Sequence, residues 1–183
     1  MIFRTVKPED TEETIEIEQI CFPPNEACSP KSMRERIAAA PELFLIAEED
    51  GVIAGFLNGI STEEKVFRDE FFTDASLHDR AGANVMLLGL DVRPEFRRRG
   101  LATEIVRRYA DMAAKTGRKQ LILTCLEDKV CMYRKMGFLD RGMANSTWGG
   151  EAWHEMAMNL GPRPELHGLR FRLRMNNDSA IVE

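Results

Sequence analysis

The stretch Leu90-Asp91-Val92-Arg93-Pro94-Glu95-Phe96-Arg97-Arg98-Arg99-Gly100-Leu101-Ala102 most constrains what this chain can fold into, because it joins an apolar strand to a helix through a basic, glycine-bearing turn. Upstream, residues 84–92 are nearly all apolar and read as a buried strand. Downstream, Thr103 to Lys115 carries helical periodicity, with Ile105, Val106, Tyr109, Met112 and Ala113 spaced at threes and fours. A helix start leaves its first N–H groups without partners and adds about half a positive charge, so a phosphate is a natural guest there. Gly100 lets the backbone approach a ligand closely, and Arg97, Arg98 and Arg99 supply charge and forked donors.

A run of three arginines is more often a solvated face. Two observations set this run apart. The chain is acidic overall, with 30 Asp and Glu against 25 Lys and Arg, so the cluster stands against its background. It also lies where a strand-to-helix turn is predicted. The spacing is neither that of a P-loop nor G-x-G-x-x-G.

With 183 residues, the chain falls within the usual range of one domain, and 44% hydrophobic residues suits a globular core. No apolar run approaches the ~20 residues of a membrane helix, and the N-terminus lacks a signal-peptide pattern, which predicts a cytoplasmic protein without a membrane partner. Cys21, Cys28, Cys125 and Cys131 show neither a C-x-x-C pair nor zinc spacing, so reduced thiols and no metal are expected. The acidic balance and the lack of a broad basic face argue against nucleic acid as a partner.

The remaining pattern alternates strand and helix. Ile2 to Val6 reads as a strand, and Pro8 to Cys21 as a helix ended by Pro23-Pro24. Ser29 caps a second helix, with Pro30 at its first position. Leu43 to Ala47 and Val52 to Ile60 form a hairpin about Glu49-Asp50-Gly51. Ser61 to Ala83 is a long polar connection with a short helix expected near Lys65 to Phe72, the kind of segment that serves as a lid. Lys119 to Cys125 is a strand and Lys129 to Lys135 a short helix. Phe138 to Met143 and Glu151 to Asn159 close the order around Trp148-Gly149-Gly150. The domain spans 1–160. Residues 161–183 form an extension opened by Gly161-Pro162-Arg163-Pro164 and continued by alternating apolar and arginine residues, which reads as a terminal strand pairing with an edge or with a second copy of the chain, or as a mobile end.

The pattern V-x-P-x-x-R-x-x-G-x-A, with Tyr133 and Gly137-Phe138 downstream, resembles the central motif of the GNAT N-acetyltransferases over roughly Ile2 to Leu160. The resemblance implies an α+β acyl-CoA N-acyltransferase fold, a mixed and mostly antiparallel sheet flanked by helices. It implies acetyl-CoA as cosubstrate, bound by the turn Arg97 to Thr103, including Gly100, Leu101 and Ala102, and by the backbone of Leu90, Asp91 and Val92. Tyr133 then faces the CoA sulfur, where a protonated phenol can donate to the departing thiolate. The competing view of Tyr133 is simple packing.

Within that family, Leu123-Thr124-Cys125-Leu126-Glu127-Asp128, Pro41-Glu42-Leu43 and Cys28-Ser29-Pro30 look like the arylalkylamine N-acetyltransferases. Vertebrate members carry two histidines on the motif strand, where this chain has Met86 and Leu88, so another proton acceptor is required. Glu26, in the early loop, is the expected base. His78, His154 and His167 are expected to be structural or exposed. Phe22, Cys28, Phe56, Met86, Leu88 and Trp148 are expected to line an apolar acceptor pocket beside an acidic loop of Glu63, Glu64, Asp69, Glu70, Asp74 and Asp79. A small aromatic or aliphatic amine is the expected acceptor. Ile17-Glu18-Gln19-Ile20-Cys21-Phe22-Pro23 also resembles protein N-terminal acetyltransferases, which act on a peptide terminus, and an acyl-CoA-binding module without turnover is a third option.

Overall fold

The computed structural model describes residues 1–161. Seven strands form one sheet in the order β1-β2-β3-β4-β5-β7-β6, with β1 Ile2–Thr5, β2 Phe44–Glu49, β3 Val52–Thr62, β4 Asn84–Val92, β5 Gln120–Cys125, β6 Leu139–Met143 and β7 His154–Asn159. Every neighbouring pair is antiparallel except β4 and β5. This is the mixed, mostly antiparallel sheet expected. Among the described residues the five α-helices are α1 Thr11–Cys21, α2 Pro30–Ala39, α3 Glu70–Thr73, α4 Leu101–Lys115 and α5 Glu127–Lys135.

Local chemistry places the helices. Ser29 accepts a hydrogen bond from the Ser32 amide and Pro30 occupies the first turn of α2, as its spacing predicts. α1 and α2 bury Ile17, Met33 and Ile37 against Phe44, Ile46, Ile53 and Phe56 on one face of the sheet. α4 buries Ile105, Val106, Tyr109, Ala110 and Ala113 on the other, and the Tyr109 hydroxyl donates to the Leu43 carbonyl at 2.8 Å. A Cβ on Gly59 would stand 3.0 Å from that hydroxyl, so the helix seats tightly there and its N-terminus is held fixed.

The long connection departs from the lid expected of it. Phe67 and Phe71 are fully buried, the Phe67 amide donates to Glu155, and the His78 ring is hydrogen-bonded to Ser61 and Glu42. Apolar anchors hidden among the charges dock this segment on the sheet, and its helix is the single turn α3. No helix among the described residues is long and apolar enough to cross a membrane. The strand read into the C-terminal extension lies outside the described residues.

Candidate active site

The central strands part. β4 pairs with β5 only from Asn84 to Met86 against Gln120 to Ile122, after which the two diverge. On its other side β4 carries a bulge, because Asn58 opposes Gly89 and Gly59 opposes Leu87, so Leu88 is skipped. A bulge sharpens local twist and turns the strand away from its neighbour. The divergence opens a cleft of about 790 Å³ between Leu87 to Leu90 on one strand and Leu123 to Leu126 on the other. Backbone groups along both inner edges there have no ladder partner, which suits an extended amide-bearing arm.

One end of the cleft is the basic turn. Arg98 and Gly100 both take left-handed conformations, with φ of 59° and 78°. Alternating backbone of this kind makes a concave nest of amides. The N–H groups of Arg98 and of Gly100 through Thr103 find no acceptor among the described residues, so the nest and the first turn of α4 offer their donors outward. Nothing stands within 4 Å of where a Gly100 Cβ would be, leaving room for a phosphate. Donors of that kind fit a pyrophosphate, and Arg98, Gly100, Leu101, Ala102 and Thr103 are the residues that would hold it.

The three arginines divide their roles. Arg97 turns inward, and its Nε donates to the Val92 carbonyl at 2.8 Å, bracing the turn. Arg98 lines the cleft with no partner among the described residues. Arg99 points elsewhere, to Glu49 at 3.3 Å and over the Phe96 ring at 5.4 Å, and is not part of the cleft wall. Exchanging Arg98 for Ala is therefore expected to raise the KM for acetyl-CoA about 5-fold at low salt, against less than about 2-fold for Arg99→Ala, by initial-rate kinetics.

Tyr133 lines the middle of the cleft from α5, edge-on to Phe138 at 5.5 Å. Its hydroxyl has no hydrogen-bond partner among the described residues, and burial, with the nearby Cys125 and Asp91, pushes its pKa up. The phenol is a proton donor at neutral pH. Cys125 shares the wall, its thiol pushed to about 11 by burial, so it is no nucleophile. The four cysteines are free.

The far end is walled by Phe22, Phe72, Leu88 and Trp148. The Trp148 indole donates to the Glu26 carbonyl at 2.9 Å and its ring packs on Phe72 at 4.9 Å. Asn25 donates to the Gly149 carbonyl at 2.9 Å, while Asp69 accepts from Ser146 and Thr147. Three loops are thereby tied together over the cleft. Glu26 lines this end, and burial, then Glu151, raises its carboxyl above the ordinary range.

Several expected site residues lie elsewhere. Met86 is fully buried on β4, opposite Ile60 and Ile122, in the part of the strand that is still paired on both sides. Cys28 and Phe56 are packed in the core beneath α1 and α2. Leu90 and Val92 border the cleft, and the Asp91 side chain lies on the opposite face of β4, completely buried, which leaves the expectation for the Asp91 backbone untouched. The acidic loop does not line the cleft either. Glu64 pairs with Arg68, Glu63 accepts from the Ala83 amide, Asp69 holds the Trp148 loop, and Asp74 caps its own turn. Period 2 in the strand, where facing alternates with each residue, accounts for Asp91 alone.

Other residues were legible only as oddities. Glu18 lines the cleft although it sits with Thr14, Ile17 and Cys21 at helical spacing on a buried face of α1. Asp91 is a charge inside an apolar strand. Thr124, whose hydroxyl is buried without a partner, and Trp153 also line the cleft.

Comparison with known proteins places the geometry. No curated protein sequence matches significantly. Among solved structures, the GNAT-like decarboxylase GphF in complex with isobutyryl-CoA superposes with a TM-score of 0.75 at 17% identity, covering 87% of this chain and 100% of that one. YncA from Salmonella typhimurium, solved with its cofactor acetyl-CoA, gives 0.63 at 17% identity, covering 89% of this chain and 95% of that one. Aminoglycoside 6'-acetyltransferase type Ii gives 0.66 at 18% identity, with 90% and 100% covered. At these identities the likeness is one of fold. The model of the acetyltransferase (GNAT) family, however, matches residues 11–138, from the first turn of α1 through the strand gap and the amide nest to the residue after Gly137. The chain belongs to this family, and it is an acetyl-CoA-dependent acetyltransferase.

Proposed function

We propose that the protein transfers acetyl from acetyl-CoA to a small primary amine, aromatic or aliphatic, by direct attack while both are bound. The supporting observation is the single cleft that runs from the amide nest past Tyr133 to an aromatic-walled end. Acetyl-CoA supplies the activated thioester. The nest and Arg98 hold its pyrophosphate, the free edges of β4 and β5 align its arm, and Tyr133 returns a proton to the sulfur. Glu26, at the outer end, draws cations and passes the amine's proton to water.

The acceptor end favours small amines over polypeptides. Trp148 is fastened to Glu26 and Phe72, so three loops are tied to one another where an extended peptide would have to lie. Release of CoA thiol against a panel of amines and short peptides tests the reading. Turnover with benzylamine-like or alkyl amines exceeding that with peptides supports it, and turnover with peptides alone refutes it.

Glu26→Gln is expected to lower kcat/KM for a good amine about 10-fold and leave the KM for acetyl-CoA unchanged. A base acts when ionised, so the wild-type rate rises with pH through the Glu26 pKa, which lies above the usual carboxylate range. That limb should disappear in the variant. An unchanged pH profile of kcat/KM would take Glu26 out of the proton path.

A further inference from the structure

Beneath the acceptor end, on the face of β4 away from Tyr133, four polar side chains are buried together. Glu18 of α1 is 2% exposed, Arg36 of α2 3%, Asn58 of β3 1% and Asp91 of β4 0%. A charge so placed is costly unless it is paired. Arg36 donates to the Phe72 carbonyl at 2.8 Å and to Asn58 Oδ1 at 3.4 Å, and among the described residues it forms no ion pair within 4.0 Å. Glu18 Oε1 accepts from the Cys28 amide at 2.8 Å, but Glu18 Oε2 and both Asp91 oxygens meet no donor.

Gly89 lets this group close up against the strand. A Cβ there would stand 3.3 Å from Glu18 Oε2, 3.2 Å from Asp91 Oδ2 and 3.0 Å from Asn58 Nδ2, so the three groups pack tightly over the glycine. Gly89 and Glu18 both line the cleft wall, and the notch between them is where the Glu18 carboxyl, backed by Asp91, meets the cleft. It adjoins the Leu88 bulge, where β4 leaves β5. Two carboxyls this close retain a proton between them and expose one net charge. The three free carboxyl oxygens are acceptors, the Asn58 amide is a neutral donor beside them, and among the described residues the other titratable neighbours, Arg36, Cys21 and Cys28, bring them no ion pair within 4.0 Å.

We propose that the acceptor amine enters as its ammonium and docks at this notch, with the Glu18–Asp91 carboxyl pair as its counter-ion and first proton acceptor. The proposal rests on the small-amine reading and names the charge state that the site selects. The balance is simple. The ammonium gives one proton to the ionised carboxyl, and the freed nitrogen lone pair forms the C–N bond. The C–S bond breaks with its electron pair going to sulfur, which takes a proton from Tyr133. The second N–H proton leaves as the amide forms and restores Tyr133, and the proton held by the carboxyl pair passes to water by way of Glu26, one proton released in net. Phe22, Phe72 and Trp148 then enclose an apolar or aromatic substituent.

The test compares two nucleophiles of similar shape, benzylamine, which is cationic at neutral pH, and aniline, which is not. Glu18→Gln is expected to lower kcat/KM for benzylamine about 100-fold, to change that for aniline less than about 5-fold, and to leave the KM for acetyl-CoA unaltered. Gly89→Ala, whose Cβ would press on Glu18, Asp91 and Asn58 without changing the carboxyls' charge, should show the same selectivity. Equal losses for both nucleophiles, or none for either, overturn the proposal. If peptides alone are acetylated, the small-amine reading has failed by itself. The peptide's terminal ammonium then replaces benzylamine, an about 100-fold loss in Glu18→Gln supporting the docking site and an unchanged rate overturning it.

Discussion

Replacing Tyr133 with Phe is expected to lower kcat by about 10²- to 10³-fold while the affinity for acetyl-CoA and the thermal midpoint stay within error of wild type. The size follows from what the hydroxyl does. In acetyl transfer the C–S bond must break in a water-poor cleft, where an unprotonated thiolate is poorly solvated. The wall of that cleft gauges the effect, since burial first, with Asp140 and Asp128 adding to it, moves the neighbouring Cys125 thiol to about 11. The same burial raises the Tyr133 phenol, so the donor and the departing sulfur move upward together and the proton still has somewhere to go. A Phe ring preserves the edge-on contact with Phe138, so packing is kept and only the donor is lost. The pH profile carries the sign. A general acid works while protonated, so the wild-type rate should hold far into the alkaline range before falling, and this fall should be missing in the variant. A rate unchanged by Tyr133→Phe would leave the residue with packing alone.

How much of this was legible in the sequence depends on what each signal encodes. The strand, the turn and α4 were readable because periodicity, Gly100 and the arginines all speak locally, and the helix face of Ile105, Val106, Tyr109 and Ala113 packs as its spacing predicts. The hairpin at Gly51 and the Ser29 cap were readable for the same reason. What failed was facing and partnership. Met86 and Leu88 looked alike in an apolar run, yet only Leu88 borders the cleft, because the β5 pairing ends at Met86 and the bulge falls at Leu88. The loop acids looked like a cleft wall and are instead spent on Arg68, Ser146 and local amides. Arg99 looked identical to Arg98 but pairs with Glu49 across the sheet. Such contacts bridge dozens of residues, and no short-range pattern reports them. The buried carboxyls did leave a trace, a Glu on the apolar side of α1 and an Asp within a run of aliphatic residues, and local inconsistencies of that kind tend to mark function.

The second large effect is on stability. Asp91→Asn is expected to raise the unfolding free energy at pH 8 by about 1–3 kcal/mol, with a smaller or absent gain at pH 5. Burial, then the nearness of Glu18, holds the Asp91 carboxyl well above its ordinary range, whereas the unfolded chain ionises it normally. Between those two values the folded state binds more protons than the unfolded one, so stability declines as pH rises through the window. Glu18, raised chiefly by its own burial, adds to the same slope. An Asn at 91 cannot ionise and keeps nearly the same shape, so it removes the Asp91 contribution and leaves Glu18 as the one carboxyl of the pair. Urea unfolding at the two pH values measures the difference directly. A variant less stable than wild type at pH 8 would mean that Asp91 is ionised and well balanced in the fold, and the shared proton would have to be abandoned. A gain in stability joined to a loss of benzylamine turnover would instead show that the chain tolerates an uncompensated buried acid at this position because the acceptor amine supplies the missing positive charge.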